Sequence, residues 1–250
     1  MARYDFRSPR LYIDQPFQPG AVLALDSTQT HYLTTVLRLK SGEGVLVFNG
    51  RDGEWYGRLE SGSKRSATLV LTQSTRPQTA ATDLHYLFAP LKRARLDYVV
   101  QKAVELGASR LQPVLTQHTQ AERVNITRMR ANVIEAAEQC GILDLPDVRE
   151  PLALTSALTD LEASRVLVFC DEDAPITDPV AALAAVGRRT TAPALAILIG
   201  PEGGFAEDER TALLKHEPTI RLALGPRILR ADTAAVAALA LVQSVLGDWR

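Results

Sequence analysis

Ala194-Leu-Ala-Ile-Leu-Ile-Gly-Pro-Glu-Gly-Gly-Phe205 and Ile220-Arg-Leu-Ala-Leu-Gly-Pro-Arg-Ile-Leu-Arg-Ala-Asp-Thr233 decide how this chain is read. Each opens with an apolar run of buried-strand length and breaks at Gly-Pro. In open α/β sheets, ligands bind beyond the carboxyl ends of the strands. Two such ends close together in sequence therefore point to one site.

Working outward, residues 84–250 alternate strand and helix patterns. Leu84–Leu91, Leu111–Leu115, Arg165–Cys170, Leu195–Ile199 and Ile220–Leu224 read as strands. Arg95–Leu106 reads as a helix stopped by Gly107, Thr127–Cys140 as one stopped by Gly141, and Glu207–Lys215 and Asp232–Leu246 as two more. This alternation predicts a parallel sheet with helices on both faces. Residues 10–72 differ. Arg10–Asp14, Gly44–Phe48, Trp55–Leu59 and Ala67–Leu71 are short strand patterns, with a turn at Arg51-Asp-Gly53 and one helix over Ser27–Leu39, N-capped by Ser27. They predict a small β-barrel. The polar, aperiodic stretch Gln73–Thr82 reads as the linker, which gives a β domain over 1–75 and an α/β domain over 80–250.

The composition, 46% apolar with a formal net charge of −1, is that of a globular protein with a sizeable core. The net charge hides an asymmetry. Residues 1–123 hold 16 Lys and Arg against 11 Asp and Glu, whereas residues 124–250 hold 12 against 18. An electropositive front half suits an anionic partner, nucleic acid above all. The polar start Met1-Ala-Arg-Tyr-Asp-Phe-Arg7 has no secretory pattern, and the apolar block Ala234–Val242 is too short to span a bilayer. Cys140 and Cys170 have no CxxC spacing and the four histidines are scattered, so neither a metal nor a membrane is expected, and the location is expected to be cytoplasmic.

The glycines of Gly200-Pro-Glu-Gly-Gly204 let a ligand approach the backbone. No Gly-Lys-Ser/Thr or GxGxxG follows, so this is not a nucleotide-phosphate loop. Glu202 would repel phosphate, and a cationic or neutral ligand fits better. In the second loop Asp232 or Thr233 can cap the following helix. Arg227 and Arg230 lie three apart, and Ile228-Leu229 between them can press on a flat ring.

Ile199-Gly-Pro-Glu-Gly-Gly-Phe205 and Leu224-Gly-Pro-Arg-Ile-Leu-Arg230 resemble the signature loops of the bacterial methyltransferases that modify N3 of a uridine in 16S ribosomal RNA of the small subunit. That family belongs to the knotted SPOUT class. The resemblance extends to His31-Tyr-Leu-Thr-Thr-Val-Leu-Arg-Leu-Lys-Ser-Gly42, to Lys92–Gly107 and to Glu135-Ala-Ala-Glu-Gln-Cys-Gly141, and so covers nearly the whole chain. It implies an N-terminal PUA-like RNA-binding β-barrel, followed by an α/β domain with a deep trefoil knot that binds S-adenosylmethionine, and a homodimer. Carried over by motif, the cofactor pocket is Leu198, Ile199, Gly200, Pro201, Glu202 and Gly203 with Leu222, Leu224, Gly225, Pro226, Arg227, Ile228 and Leu229. The strand end Phe169–Glu172 is expected as a third wall.

The chemistry agrees with this resemblance. A sulfonium donor is positive, which suits an acidic loop. Uridine N3 must lose its proton, so Arg230 is the candidate for stabilising the imide anion and Asp232, or else Glu202, for accepting the proton. Arg3, Arg7, Arg10, Arg38, Lys92, Arg93, Arg95 and Lys102 are candidates for RNA phosphate contacts. The chain departs from the family at Ile142, where Arg is common, at His118-Thr-Gln120, where an Arg-Ser pair is frequent, and at Ala231-Asp232, where Thr-Glu is usual. A related knotted enzyme acting on transfer RNA or a ribose 2′-hydroxyl is the alternative, disfavoured by the barrel. A non-catalytic RNA-binding or assembly protein is disfavoured by the intact loops.

Overall fold

The computed structural model of the chain describes residues 7–63, 66–80, 82–120, 123–175, 178–188 and 193–249, so Arg3 lies outside the described residues. The chain forms two compact units. One comprises residues 1–80 with 137–145, and the other residues 81–136 with 146–250.

The first unit is built on a sheet of β1 (Arg10–Tyr12), β2 (Val22–Ala24), β3 (Gly44–Phe48), β4 (Glu54–Ser63) and β5 (Ser66–Arg76), in the order β1-β3-β4-β5-β2. Strand β1 runs parallel to β3 and the other pairs are antiparallel. Alternate side chains face one core, Val45 and Val47 from β3 and Ala67, Leu69 and Leu71 from β5, which is the period of two expected of a half-buried strand. Gln73–Arg76, read from sequence as linker, instead continues β5, with Arg76 opposite Glu54. An ion pair holds it there. Arg76 Nη2 lies 2.6 Å from Glu54 Oε2, and Arg10 Nε lies 2.8 Å from the same oxygen. Burial opposes ionisation of Glu54, but the bonds from Arg76 and Arg10 outweigh it and lower its pKa. Residues 137–145 join this unit through backbone acceptors: Arg10 Nη1 donates to Glu138 O (3.3 Å) and Arg76 Nη2 to Gly141 O (3.0 Å).

The helix expected over Ser27–Leu39 is shorter. Helix α1 (Ser27–His31) is capped by Asp26, not Ser27, because the Asp26 carboxylate accepts the Gln29 N–H (2.8 Å) while Gln29 Oε1 accepts the Asp26 N–H. A five-residue π-helical turn, Tyr32–Val36, follows. It closes with Leu37 N–H on Tyr32 O and Leu39 N–H on Leu33 O, both at 2.9 Å, around Arg38 at φ 57°. This left-handed position after a helix ordinarily takes glycine. Arg38→Gly relieves the crowding and is expected to raise the unfolding free energy by about 1 kcal/mol in urea denaturation. An unchanged or lowered midpoint would show that the position is unstrained.

The second unit contains β6 (Leu84–Phe88), β7 (Arg110–Leu115), β8 (Asp147–Val148), β9 (Leu152–Ala153), β10 (Val166–Cys170), β11 (Leu195–Ile199) and β12 (Thr219–Leu222). The order is β12-β10-β11-β6-β7-β8, with β9 also on β7, and every pair is parallel. The helices are α2 (Arg93–Glu105), α3 (Ile126–Cys140, of which residues 126–136 belong to this unit), α4 (Leu154–Thr159), α5 (Pro179–Gly187), α6 (Glu207–Lys215) and α7 (Ala231–Val245). Strand β11 is buried throughout, as a central parallel strand covered on both faces must be. Leu87, Leu167, Phe169, Ala196 and Leu198 form one core with Leu154 and Leu158 of α4 and Leu213 of α6. Helix α7 packs against α2 and α5, and Gln243 Nε2 donates to Leu106 O (2.7 Å) at the end of α2. Among the described residues no helix is long and apolar enough to cross a membrane.

Candidate functional site

Strands β12, β10 and β11 are neighbours and parallel, so their carboxyl ends open on the same edge of the sheet. There they surround a cavity of about 530 Å³. Its walls are Phe169–Glu172 after β10, Ile199–Glu202 with Gly204 and Phe205 after β11, and Leu222 with Leu224–Ala231 after β12. The two Gly-Pro loops thus meet, with the β10 end as the third wall.

Local sequence explains the loop shapes. A Cβ on Gly200 would lie 2.5 Å from the Phe205 ring, so only glycine lets that ring fold under the loop. The Phe205 ring stands edge-on to Phe169, with centroids 5.4 Å apart at 79°. Gly204 and Gly225 adopt φ +71° and +94°, conformations that side chains rarely take. Ile228 is 90% exposed. An isolated apolar side chain held so fully in water at a cavity rim offers surface to a flat apolar group.

The structure brings most of the expected pocket residues together: Ile199, Gly200, Pro201, Glu202, Leu222, Leu224, Gly225, Pro226, Arg227, Ile228, Leu229 and Arg230 all line the cavity. Two do not. Leu198 is wholly buried in the core beneath, because alternate residues of β11 face opposite ways. Gly203 faces His118, whose Cβ would lie 3.3 Å from an added Cβ. Asp232 is not the cap of α7. Arg230 occupies the N-cap position without a side-chain cap bond, and Asp232 sits in the first turn with Oδ1 accepting the Thr233 N–H (2.8 Å). Glu202 pairs with Arg95 of α2.

Sequence reasoning missed Arg210 of α6, which lines the cavity and has no spacing signal to separate it from a solvated helix arginine. It donates to both oxygens of Asp171, at 2.7 and 3.0 Å, and Arg221 Nε donates to Asp171 Oδ2 at 2.7 Å. Burial of this carboxyl opposes its ionisation, but the bonds from Arg210 and Arg221 prevail and hold its pKa below 3.8. The neighbouring Cys170 thiol is pushed up to about 12, by burial first and by Asp171 second, so it remains a neutral thiol. Among the described residues no three His, Cys, Asp or Glu side chains gather as a metal site would need.

The expected phosphate contacts divide. Arg7, Arg38, Lys92 and Arg93 are exposed. Arg10 corrects the expectation: its side chain is 4% exposed and bound to Glu54, so it holds the first unit together and does not face solvent. Arg95 is engaged by Glu202. Lys102 pairs with Glu105 at 2.6 Å and lies 5.7 Å from the centre of the Tyr98 ring.

Asp171→Asn would leave two guanidinium groups around a neutral side chain. It is expected to cost about 3 kcal/mol, the scale for breaking a buried ion pair. The wild-type contribution is present above pH 3.8 and is lost as pH falls through the lowered folded value. Urea unfolding at neutral pH and across the acid range checks both. A change below 0.5 kcal/mol, on the order of a surface substitution, would show that Asp171 does not anchor the site.

Residues 78–243 match the family model described as an RNA methyltransferase domain, and residues 25–72 match one described as an RNA methyltransferase PUA domain. The Ribosomal RNA small subunit methyltransferase E of Rickettsia conorii is 29% identical over 94% of this chain and 94% of its own length. Its Synechocystis counterpart is 31% identical over 90% of this chain and 74% of its own. A Legionella pneumophila protein solved with the bound cofactor SAM is 28% identical, with TM-score 0.78 over 95% of this chain and 98% of that one. A Neisseria gonorrhoeae protein of the same description as the first two, solved with S-adenosyl methionine, is 24% identical and shares the fold with TM-score 0.85 over 98% of this chain and 100% of that one.

Proposed function

The chain belongs to the RNA methyltransferase family, and on that premise we propose that it transfers a methyl group from S-adenosylmethionine to N3 of a uridine in 16S ribosomal RNA. The observation that carries the reading is the convergence of both Gly-Pro loops and the β10 end on one cavity. Three of the relatives named above, those of Rickettsia conorii, Synechocystis and Neisseria gonorrhoeae, are ribosomal RNA small subunit methyltransferases by description, and the loop motifs resemble those of the uridine-N3 enzymes.

The cavity residues fit the cofactor. The glycines at 200 and 225 leave the loop backbone open to a ligand, Ile228 offers an apolar face to a purine, and the carboxylate of Glu172 stands in the lining where a sulfonium could meet it. S-adenosylmethionine supplies an electrophilic methyl group when bound. The protein's own residues do the rest. The three walls fix the donor's position, and holding the uracil ring against it removes most of the entropic barrier. Arg230, exposed at the rim, places its guanidinium where negative charge develops on the imide as N3 is deprotonated. Asp232, in the first turn of α7 beside the cavity but not among its lining residues, is the proposed acceptor of that proton, with Glu202, which does line the cavity, as the other carboxylate. Glu202 is already paired with Arg95, whereas Asp232 Oδ1 accepts from the adjacent Thr233 N–H and hydroxyl.

RNA is held by the phosphate contacts of the exposed Arg7, Arg38, Lys92 and Arg93, with Arg95 exchanging Glu202 for phosphate. The β domain over 1–75 is the PUA-like RNA-binding part, and the α/β domain over 80–250 is catalytic and carries the trefoil knot. The enzyme is a cytoplasmic homodimer acting on the small subunit. These readings are supported by the family resemblance.

Single-turnover methylation of small-subunit particles, with 3-methyluridine read by mass spectrometry, tests the reaction. Arg230→Ala is expected to lower the rate constant by about a hundredfold while leaving cofactor affinity unchanged. Methylation at another atom overturns the target assignment. A wild-type rate for Arg230→Ala overturns the role of Arg230.

A further inference from the structure

The loop that follows β7 is tied to the Gly-rich loop at two points. His118 Nδ1 lies 3.1 Å from Gly203 O and 3.1 Å from Gly204 O. Glu209 of α6 makes the second tie, with Oε1 accepting the Gln117 N–H (2.8 Å) and Oε2 the Ala206 N–H (2.9 Å). The β7 loop is itself closed by Thr119. Its Oγ1 accepts the Thr116 N–H (2.9 Å), and its N–H donates to Thr116 O (3.1 Å). A small, internally braced loop therefore presents one imidazole to two glycine carbonyls.

Carbonyl oxygens only accept, so the geometry requires the proton on Nδ1 whatever the state of Nε2. That proton is shared between the two carbonyls. A Cβ at Gly203 would lie 3.3 Å from His118 Cβ, a tight contact that glycine avoids. The turn the imidazole grips has the bond Gly204 N–H to Pro201 O (3.0 Å), and it contains two consecutive glycines, the residues with most backbone freedom to lose. Pro201, Glu202 and Gly204 line the cavity, whereas His118 does not.

We propose that His118 is a positioning residue for the donor: it holds the Gly203-Gly204 turn in its ligand-ready form before anything binds. The inference rests on reading this cavity as the S-adenosylmethionine site. Ordering the turn in advance removes a cost that binding would otherwise bear. The clamp acts on affinity for the donor rather than on the methyl-transfer step.

Calorimetry with S-adenosylhomocysteine on the full-length wild type, His118→Ala and His118→Asn tests this, with amide hydrogen exchange of the unliganded proteins alongside. His118→Ala is expected to raise Kd by about tenfold, the value of one to two hydrogen bonds. The amides of 203–206 should exchange faster, while the thermal midpoint stays within about 2 °C, the size of a surface change. His118→Asn, whose side-chain N–H takes the place of Nδ1–H, should recover most of the affinity. At saturating donor the single-turnover rate should change by less than about twofold, since that step is not the one His118 serves. Unchanged Kd in His118→Ala overturns the inference, as does an Asn variant no better than Ala or a loss of affinity matched by global destabilisation. No heat from the wild type itself would overturn the cofactor reading and this inference with it. Wild-type binding with an unaffected Ala variant overturns this inference alone.

Discussion

Asp171 stands at the carboxyl end of β10 with its side chain 1% exposed, and it accepts hydrogen bonds from Arg210 of α6 and Arg221 of β12. A carboxylate so buried costs several kcal/mol unless its partners are fixed around it. The requirement works in both directions. The two arginines keep Asp171 ionised, and Asp171 prevents α6 and the end of β12 from moving independently of β10. Its backbone N–H on Leu222 O (2.9 Å) adds a second tie between the ends of β10 and β12. The cavity walls are therefore joined beneath the ligand space, and the glycine loops above need supply only approach and shape.

Strand order supplies the space. The chain passes from β10 to its neighbour β11, then crosses back over β10 to lay β12 on the opposite side. Loops after β11 and β12 consequently depart on either side of β10, which leaves a crevice at its end. This is the switch point at which open parallel sheets bind ligands. The residue types then narrow what the crevice takes. Its lining has an exposed isoleucine and no lysine, and it holds both carboxylates (Glu172, Glu202) and exposed guanidinium groups (Arg227, Arg230).

Much of the sheet is legible because buried parallel strands are short apolar runs. The patterns Arg165–Cys170, Leu195–Ile199 and Ile220–Leu224 are readable for that reason, although Gly-Pro directly follows only the second strand, and the third stops at Leu222. Their neighbour relations are not, because β11 and β12 flank β10 through crossovers that leave no mark on composition. Gln73–Arg76 looked like linker because the force extending β5 is an ion pair to Glu54, twenty-two positions away, and not an apolar face. The same carboxylate took Arg10 from the surface into the interior. Helix α5 was overlooked, although Asp178 accepting the Ala181 N–H with Pro179 next to it is a recognisable start. Arg210 and Asp171 are ordinary charged residues in sequence, and only their mutual burial distinguishes them.

The account's central claim is that one crevice at the ends of β10, β11 and β12 holds the methyl donor. A crystal structure of the full chain with S-adenosylhomocysteine tests it most directly. The ligand is predicted to lie between Phe169–Glu172, Gly200–Gly204 and Leu222–Arg230, with its purine against Ile228. A ligand seated elsewhere on the chain, or its absence from this crevice at saturating concentration, would contradict the account.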